Sequence, residues 1–233
     1  EYKSVDREEK EKKDEDKSVF TSFSLFKGSI IHAALQKNTP VEDVDSLIEV
    51  ILRTETDFTR YNLIPLDRLR NKVRETLAAF YNSATYKNLQ NYKDYKNEYE
   101  IFVRNSNYIL YGIIDKVIFD GDSKLIVVDY KTDTLPNTDK SSILQRGRQY
   151  SDQLMFYAYL LNSIMPGRDI ELNLLFINYP SIDIRQSVSL HSISSFGKLV
   201  EKSIAGIRAK SFPKNLDHCN SCLFSDNHGN CII

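Results

Sequence analysis

The residues of this chain best suited to chemistry lie where an apolar run ends in charge. Val127-Val128-Asp129-Tyr130-Lys131-Thr132-Asp133 reads as the end of a buried strand. Side chains alternate along a strand, so Asp129 and Lys131 face one way while Val128 and Tyr130 face the other. Upstream, Asp115 interrupts a second apolar stretch, Tyr111-Gly112-Ile113-Ile114-Asp115-Lys116-Val117. The turn Asp120-Gly121-Asp122-Ser123 would fold these stretches into a hairpin, with Asp115 opposite residue 128 or 129 according to turn length. Two carboxylates and an ammonium then share one strand surface. Leaving the carboxylates unpaired in a low dielectric is costly. A divalent cation removes that cost, and magnesium or manganese suits hard oxygen donors. A lysine beside it can orient water or stabilise developing negative charge. Asp-x-Lys is a weak signal by itself, because an ion pair at a strand end has the same appearance.

Three further features bear on that choice. Gln153 and Tyr157 are four residues apart and share a helix face just after the charged strand, either as a surface stripe or aimed at a substrate. His32 stands inside the apolar segment Gly28-Ser29-Ile30-Ile31-His32-Ala33-Ala34-Leu35, where a structural histidine is the plain alternative. Glu98 heads the first of the strands. Arg146 and Arg148, ahead of Gln153, read either as contacts to a nucleic-acid backbone or as ordinary surface charge.

Positioning these groups requires a framework of helices and strands. A helix is expected over Lys27–Gln36, and others over Val41–Phe58 and Pro65–Tyr81. In the last, Leu66, Leu69, Val73, Leu77 and Phe80 form the apolar stripe, and Pro65 suits a first turn. From Tyr95 the period changes to two. Tyr99, Ile101 and Val103 alternate with Glu98, Glu100, Phe102 and Arg104, Asn105-Ser106-Asn107 turns, and Tyr108–Phe119 returns. Leu125–Lys131 makes the third strand of a meander. A long helix over Ser141–Ile164, strands over Ile170–Asn178 and Ile184–Leu190, and a helix over Ser192–Lys210 follow. The expected class is α/β, with a mixed central sheet flanked by helices and an N-terminal helical part.

Composition sets limits. The 233 residues, 41% of them hydrophobic, suffice for one large domain or a core with an added helical part. No apolar run approaches the ~18 residues of a membrane span, and no secretory signal is visible. A net charge of -1 gives no global basic signal, although a local basic groove can sit on a neutral domain. Residues 1–17 carry charge at fourteen positions with both signs mixed, which reads as a solvated helix or linker. The start at Glu1 rather than Met reads as a piece of a longer protein. Three cysteines, Cys219, Cys222 and Cys231, crowd the end of the chain, an odd set that argues for a reducing, cytoplasmic setting.

Taken together, Gly28 to His32, Glu98, Gly112 to Asp115, Asp129 to Lys131 and Gln153 to Tyr157 resemble the RecB-type nucleases of the PD-(D/E)XK superfamily, with the elements in the same order. The resemblance covers roughly residues 25–225 and is nearest to the nuclease domains at the C-terminus of AddA and RecB helicase subunits. It implies a restriction-endonuclease-like core and metal-dependent hydrolysis of DNA, acting as an exonuclease in repair and recombination. The implied metal ligands are His32, Asp115, Asp129 and the Tyr130 carbonyl, for Mg²⁺ or Mn²⁺. Lys131 matches the catalytic lysine, and Gln153 and Tyr157 match the pair that holds substrate and site. A helicase, in the same polypeptide or a partner subunit, is the implied associate, and no membrane is involved.

The domain organisation expected is a charged start over 1–24, a helical part carrying His32 over 25–94, the nuclease core over 95–212, and a cysteine-containing tail over 213–233. Some relatives bind an iron–sulfur cluster through one early and three late cysteines, but this chain has none before Cys219. The tail with His218 and His228 leaves three readings: no metal, which is the expectation; zinc on three Cys and one His; or a cluster completed from elsewhere. An inactive nuclease fold serving as a DNA-binding or scaffolding module is the alternative to the enzyme. Such relatives lose an acid or the lysine, and here His32, Asp115, Asp129 and Lys131 are all present.

Overall fold

The computed structural model describes residues 22–54 and 65–211. The charged start, the end of the expected helix over Val41–Phe58 and the terminal cysteines with His218 and His228 lie outside these residues. The chain forms two compact units divided between Ile193 and Ser194. The first holds every described residue singled out from the sequence as a candidate site residue. The second begins inside the last helix.

In the first unit, helix α1 covers residues 22–37. A short 3₁₀ turn at Val41–Asp43 leads into α2 (Val44–Thr54), and α3 (Leu66–Asn82) and α4 (Ala84–Leu89) follow. Strands β1 (Tyr95–Arg104), β2 (Ile109–Asp120) and β3 (Lys124–Lys131) form the meander. Helices α5 (Lys140–Arg148) and α6 (Ser151–Ile164) cross to β4 (Asp169–Phe176), and β5 (Asp183–Val188) completes the sheet before α7 (Leu190–Arg208). Strand order is β1-β2-β3-β4-β5. β3 and β4 are parallel and every other pair is antiparallel, so the sheet is mixed as expected.

The parallel pair follows from the helical crossover, since a tight turn can join only antiparallel neighbours. β3 is buried at all positions from Leu125 to Tyr130, as a central strand covered on both faces must be. Ile126, Val128 and Tyr130 enter one apolar cluster, with α1, α2 and α3. Leu125 and Val127 enter the other, with α6. In α3, Leu69, Val73, Leu77 and Phe80 are fully buried in the first cluster, and the Phe80 ring meets Tyr130 edge-on at 6.0 Å. The stripe read from the sequence is therefore what presses the helical layer against the middle of β3.

Three local expectations change. Lys27–Gln36 extends to 22–37. The short helix α4 was not anticipated. Ser83 caps it, accepting from the Tyr86 N–H at 3.1 Å. The single helix over Ser141–Ile164 is two, with the break at Gln149 and Tyr150. Gly147 weakens the helix just before the break, and it lies so close to the sheet that a Cβ there would come within 2.6 Å of Ile184.

The hairpin β1–β2 reverses its pleat midway. Tyr95 and Ile118 belong to the first cluster, whereas Tyr99 and Ile114, at the same strand parity, belong to the second. The reversal falls at Glu98, whose φ of 46° is left-handed. The recorded pairing runs Asn97–Lys116 and then Tyr99–Ile114, so Glu98 and Asp115 are the skipped pair, level with each other across the strands.

Candidate metal and catalytic site

Asp115 marks the place where β2 and β3 part. Their ladder ends at Lys116 opposite Val128, one residue short of Asp115 and Asp129. Beyond it, the Asp115 carboxylate replaces the backbone partner: the Tyr130 N–H donates to Asp115 Oδ2 at 2.7 Å. The expected level of Asp115 on β3 is therefore met at residue 129. The two acids nevertheless do different work, because Asp115 occupies the fork itself.

His32 reaches this fork from α1, with Nδ1 3.6 Å from Asp115 Oδ1. Two features bring α1 so near. Gly28 lies against the end of β3, where a Cβ would come within 2.9 Å of Thr132 Oγ1. At the other end of the helix, the Asn97 side-chain amide donates to the Gln36 carbonyl at 2.7 Å, meeting one of the carbonyls a helix end leaves open. Asn38, at a left-handed φ of 51°, terminates α1 beside it. Asn97 precedes Glu98, so the tether that holds the helix also holds the kink. Ligand atoms of His32, Glu98 and Asp115 all lie within 4.8 Å of one another.

This trio fits a divalent cation. Glu98 and Asp115 are like charges directly across a strand pair, an arrangement that destabilises a sheet unless a positive charge intervenes. The titration directions say the same. Burial raises Glu98, Asp115 raises it further, and His32 partly offsets them. Burial alone would lower His32, but the hydrogen bond and the field of Asp115, with the field of Asp129, raise it on balance. A glutamate pushed up beside a histidine pushed up describes a site with surplus negative charge. Two carboxylates with one imidazole make a donor set for a divalent cation.

Asp129 and Lys131 stand next to this group on the α6 side of β3. Asp129 is 1% exposed, and burial pushes its carboxyl up to about 6 despite the opposing pull of Lys131. Lys131 Nζ lies 2.8 Å from Asp129 Oδ2. That contact is an ion pair without hydrogen-bond alignment, and Oδ2 has no other donor. Gln153 completes the group. Its Oε1 accepts from Lys131 Nζ at 3.1 Å, and its amide N–H groups donate to Asp129 Oδ1 at 3.3 Å and to the Tyr157 hydroxyl at 2.8 Å. One amide thereby uses its whole near-side capacity to fix lysine, acid and tyrosine together. Burial pushes the Tyr157 hydroxyl up to about 12, so it stays protonated.

The placement of Gln153 and Tyr157 against the strands depends on close packing of α6 on the hairpin. A Cβ on Gly112 would come within 2.7 Å of Leu160. The glycine of the hairpin strand therefore admits the helix, just as Gly28 admits α1.

Every residue singled out from the sequence is among the described residues, the terminal cysteines and histidines excepted. His32, Asp115, Asp129, Lys131, Gln153 and Tyr157 converge. Tyr130 contributes its N–H to Asp115, and its side chain turns to the opposite cluster. Glu98, read from the sequence as a strand-heading acid and an element of the family pattern but not as a ligand, sits in the trio, while Asp129 is engaged by Lys131 and Gln153. Arg146 is held internally: its guanidinium meets Asp133 at 2.5 Å, donates to Tyr150 OH at 3.1 Å and contacts Gln149. Arg148 is exposed. Sequence reading missed Tyr150, whose ring lies under Lys131 Nζ at 4.5 Å from its centroid and whose hydroxyl is tied to Asp133. Its position three residues before Gln153 would have been the signal for it, since that spacing returns to the same helix face.

Comparison with known proteins bears on the family. No curated protein matches this chain. Among solved structures, it is similar to a Eubacterium rectale protein described as "Putative exonuclease", at 8% identity and TM-score 0.48, covering 82% of this chain and 69% of that one. It is also similar to SSO0001, at 17% identity and TM-score 0.36, covering 74% and 77%. A sequence model described as the PD-(D/E)XK nuclease superfamily matches residues 7–226, nearly the whole chain. With its mixed five-stranded sheet, helical N-terminal part and acid–lysine strand end, this chain belongs to the PD-(D/E)XK nuclease superfamily.

Proposed function

We propose that this chain hydrolyses DNA phosphodiester bonds in a divalent-metal-dependent reaction, acting from DNA ends. The observation that carries the reading is the pairing of Lys131 with a buried Asp129 beside a three-ligand acid and histidine group. The cation, Mg²⁺ or Mn²⁺, would be held by His32, Glu98 and Asp115, with Asp129 and the Tyr130 carbonyl at the adjoining strand end. When bound it would lower the pKa of water and offset charge on the scissile phosphate. Lys131 adds a preorganised positive charge toward that phosphate. Asp129 and Gln153 hold the ammonium in place, and Tyr157 holds Gln153. The likeness to AddA and RecB nuclease domains in the sequence pattern supports work beside a helicase, in the same polypeptide or a partner subunit, during repair and recombination. No helix among the described residues is long and apolar enough to cross a membrane.

The test compares end-labelled linear DNA with a covalently closed circle. The linear DNA is expected to shorten from its ends with magnesium or manganese and to survive in EDTA, while the circle stays intact. Equal cutting of the circle would overturn action from ends. Binding without cleavage under every divalent ion would favour the inactive module.

The close approach at Gly28 gives a second expectation. An exposed helical Gly→Ala change stabilises by about 1 kcal/mol. Gly28→Ala should gain little or nothing, because the new Cβ meets Thr132 Oγ1. Cleavage should fall several-fold as His32 shifts with its helix. Adding Thr132→Ala should release the withheld gain in melting temperature and restore the rate. A fully active Gly28→Ala protein would show that α1 position does not matter to the chemistry.

A further inference from the structure

We propose that the outer half of the β1–β2 hairpin is a base-stacking platform for single-stranded DNA running toward His32, Glu98 and Asp115. The proposal rests on the nuclease reading and deepens it by naming the form of substrate. Phe102 and Tyr111 are register partners. Their rings stack, with centroids 4.5 Å apart and planes 28° from parallel. They are 62% and 46% exposed, and Ile109 and Ile113, also exposed, lie on the same side of the hairpin. Rings of this size are normally buried, and placing them in water is unfavourable.

The pleat reversal explains where this face points. On the outer half, Tyr99, Ile101, Val103, Leu110 and Ile114 turn into the α6 cluster. Phe102 and Tyr111 therefore face the opposite side, the side from which α1 brings His32 to Asp115. Phe102 is four residues from Glu98 and Tyr111 four from Asp115, or about 13 Å at ~3.3 Å per residue. About four stacked nucleotides cover that length at ~3.4 Å each. The platform is thus continuous with the candidate site and at a spacing a short single strand can bridge.

The details suit bases better than a protein surface. Aromatic faces accept any base, which a nuclease without sequence preference requires. The Tyr111 hydroxyl contacts Glu100 at 3.5 Å, which fixes the ring orientation. Arg104, exposed at the hairpin end, is placed to meet a phosphate. Glu100 lies on the same face between Phe102 and Glu98, against Tyr111, so the strand's phosphates must turn away from it. The exposed apolar group comprises four side chains, against the ~20–30 residues a side of a stable protein interface.

The test uses the full chain in EDTA, with a fluorescent single strand of about 16 nucleotides, a site size such surfaces can reach, and the matching duplex. Phe102→Leu with Tyr111→Leu keeps apolar bulk and removes the rings. Single-strand affinity is expected to fall about 5- to 150-fold, the range for losing one stacked base, with duplex affinity unchanged. A 2-aminopurine base about four nucleotides from the cut should be quenched by the wild type and not by the variant. Equal single-strand affinity, or unchanged quenching, overturns the platform while leaving magnesium-dependent cleavage to stand on its own. Wild-type self-association that the variant abolishes would assign the patch to a protein contact and equally overturn it. Absence of any metal-dependent cleavage by the wild type would instead remove the nuclease reading, and the platform with it.

Discussion

Lys131→Ala is expected to lower turnover on linear DNA by roughly a hundredfold or more, the effect of losing one preorganised charge stabiliser. DNA affinity and divalent binding should remain, because the lysine acts where charge develops and not where substrate is held. Its removal also strips Asp129 of its ion-pair partner in a nearly fully buried position. A buried charge left unpaired is destabilising, so stability must be measured separately and the rate normalised to folded protein. The two roles then come apart. A purely structural pair would lower the melting temperature and leave the turnover of folded molecules intact. Lys131→Ala protein cutting at the wild-type rate would remove the centre of the proposed chemistry.

The second large effect concerns the cation. At a magnesium concentration near 100 times its Kd, binding to the folded state alone adds about 2.7 kcal/mol. For a chain of this size that raises the melting temperature by roughly 5–11 °C. Asp115→Asn should abolish the rise. The asparagine side-chain oxygen can still accept from the Tyr130 N–H, so the strand fork keeps its hydrogen bond. The substitution removes one of two facing like charges and also the charge that faces His32, so the metal-free protein should melt close to wild type, and the two are compared directly by calorimetry. Asp115→Ala, by contrast, leaves that N–H without its acceptor, at a cost of about 1–3 kcal/mol. Equal magnesium shifts in wild type and Asp115→Asn would dismiss the trio as the cation site.

The sheet was legible in the sequence because its signals are local. Alternation along Leu125–Lys131 and Tyr108–Phe119, with turn residues between, defines strands without reference to anything distant. The same alternation put Asp129 and Lys131 on one face, where Gln153 meets both. The stripe of α3 was legible for the same reason. The helix break at Gln149 and Tyr150 was not. No proline marks it, and what accompanies it is Gly147 packing on the sheet and Asp133 holding both Arg146 and Tyr150.

Glu98 shows most sharply where sequence stops and tertiary structure begins. The turn read over 105–107 would pair Arg104 with Tyr108 and set Glu98 level with Ile114. The structure uses residues 105–108 as the connection, which pairs Arg104 with Ile109 and sets Glu98 level with Asp115. Nor were the left-handed backbone at Glu98, the parting of β2 from β3 and the approach of His32 legible in the sequence. A left-handed glutamate is unfavourable on its own and persists only where its surroundings hold it. Here those surroundings include α1, bound to β1 through Asn97 and admitted to the strand end by Gly28. The sequence by itself determined which groups could do chemistry and that Asp129 with Lys131, and Gln153 with Tyr157, each share a face, because both depend on residue type and local period; the pleat reversal at Glu98 put the faces of Glu98 and Asp115 beyond it. Only the tertiary structure decided that His32, Glu98 and Asp115 meet while Asp129 is claimed by Lys131, because ångström distances between residues far apart in the chain depend on how closely whole elements pack.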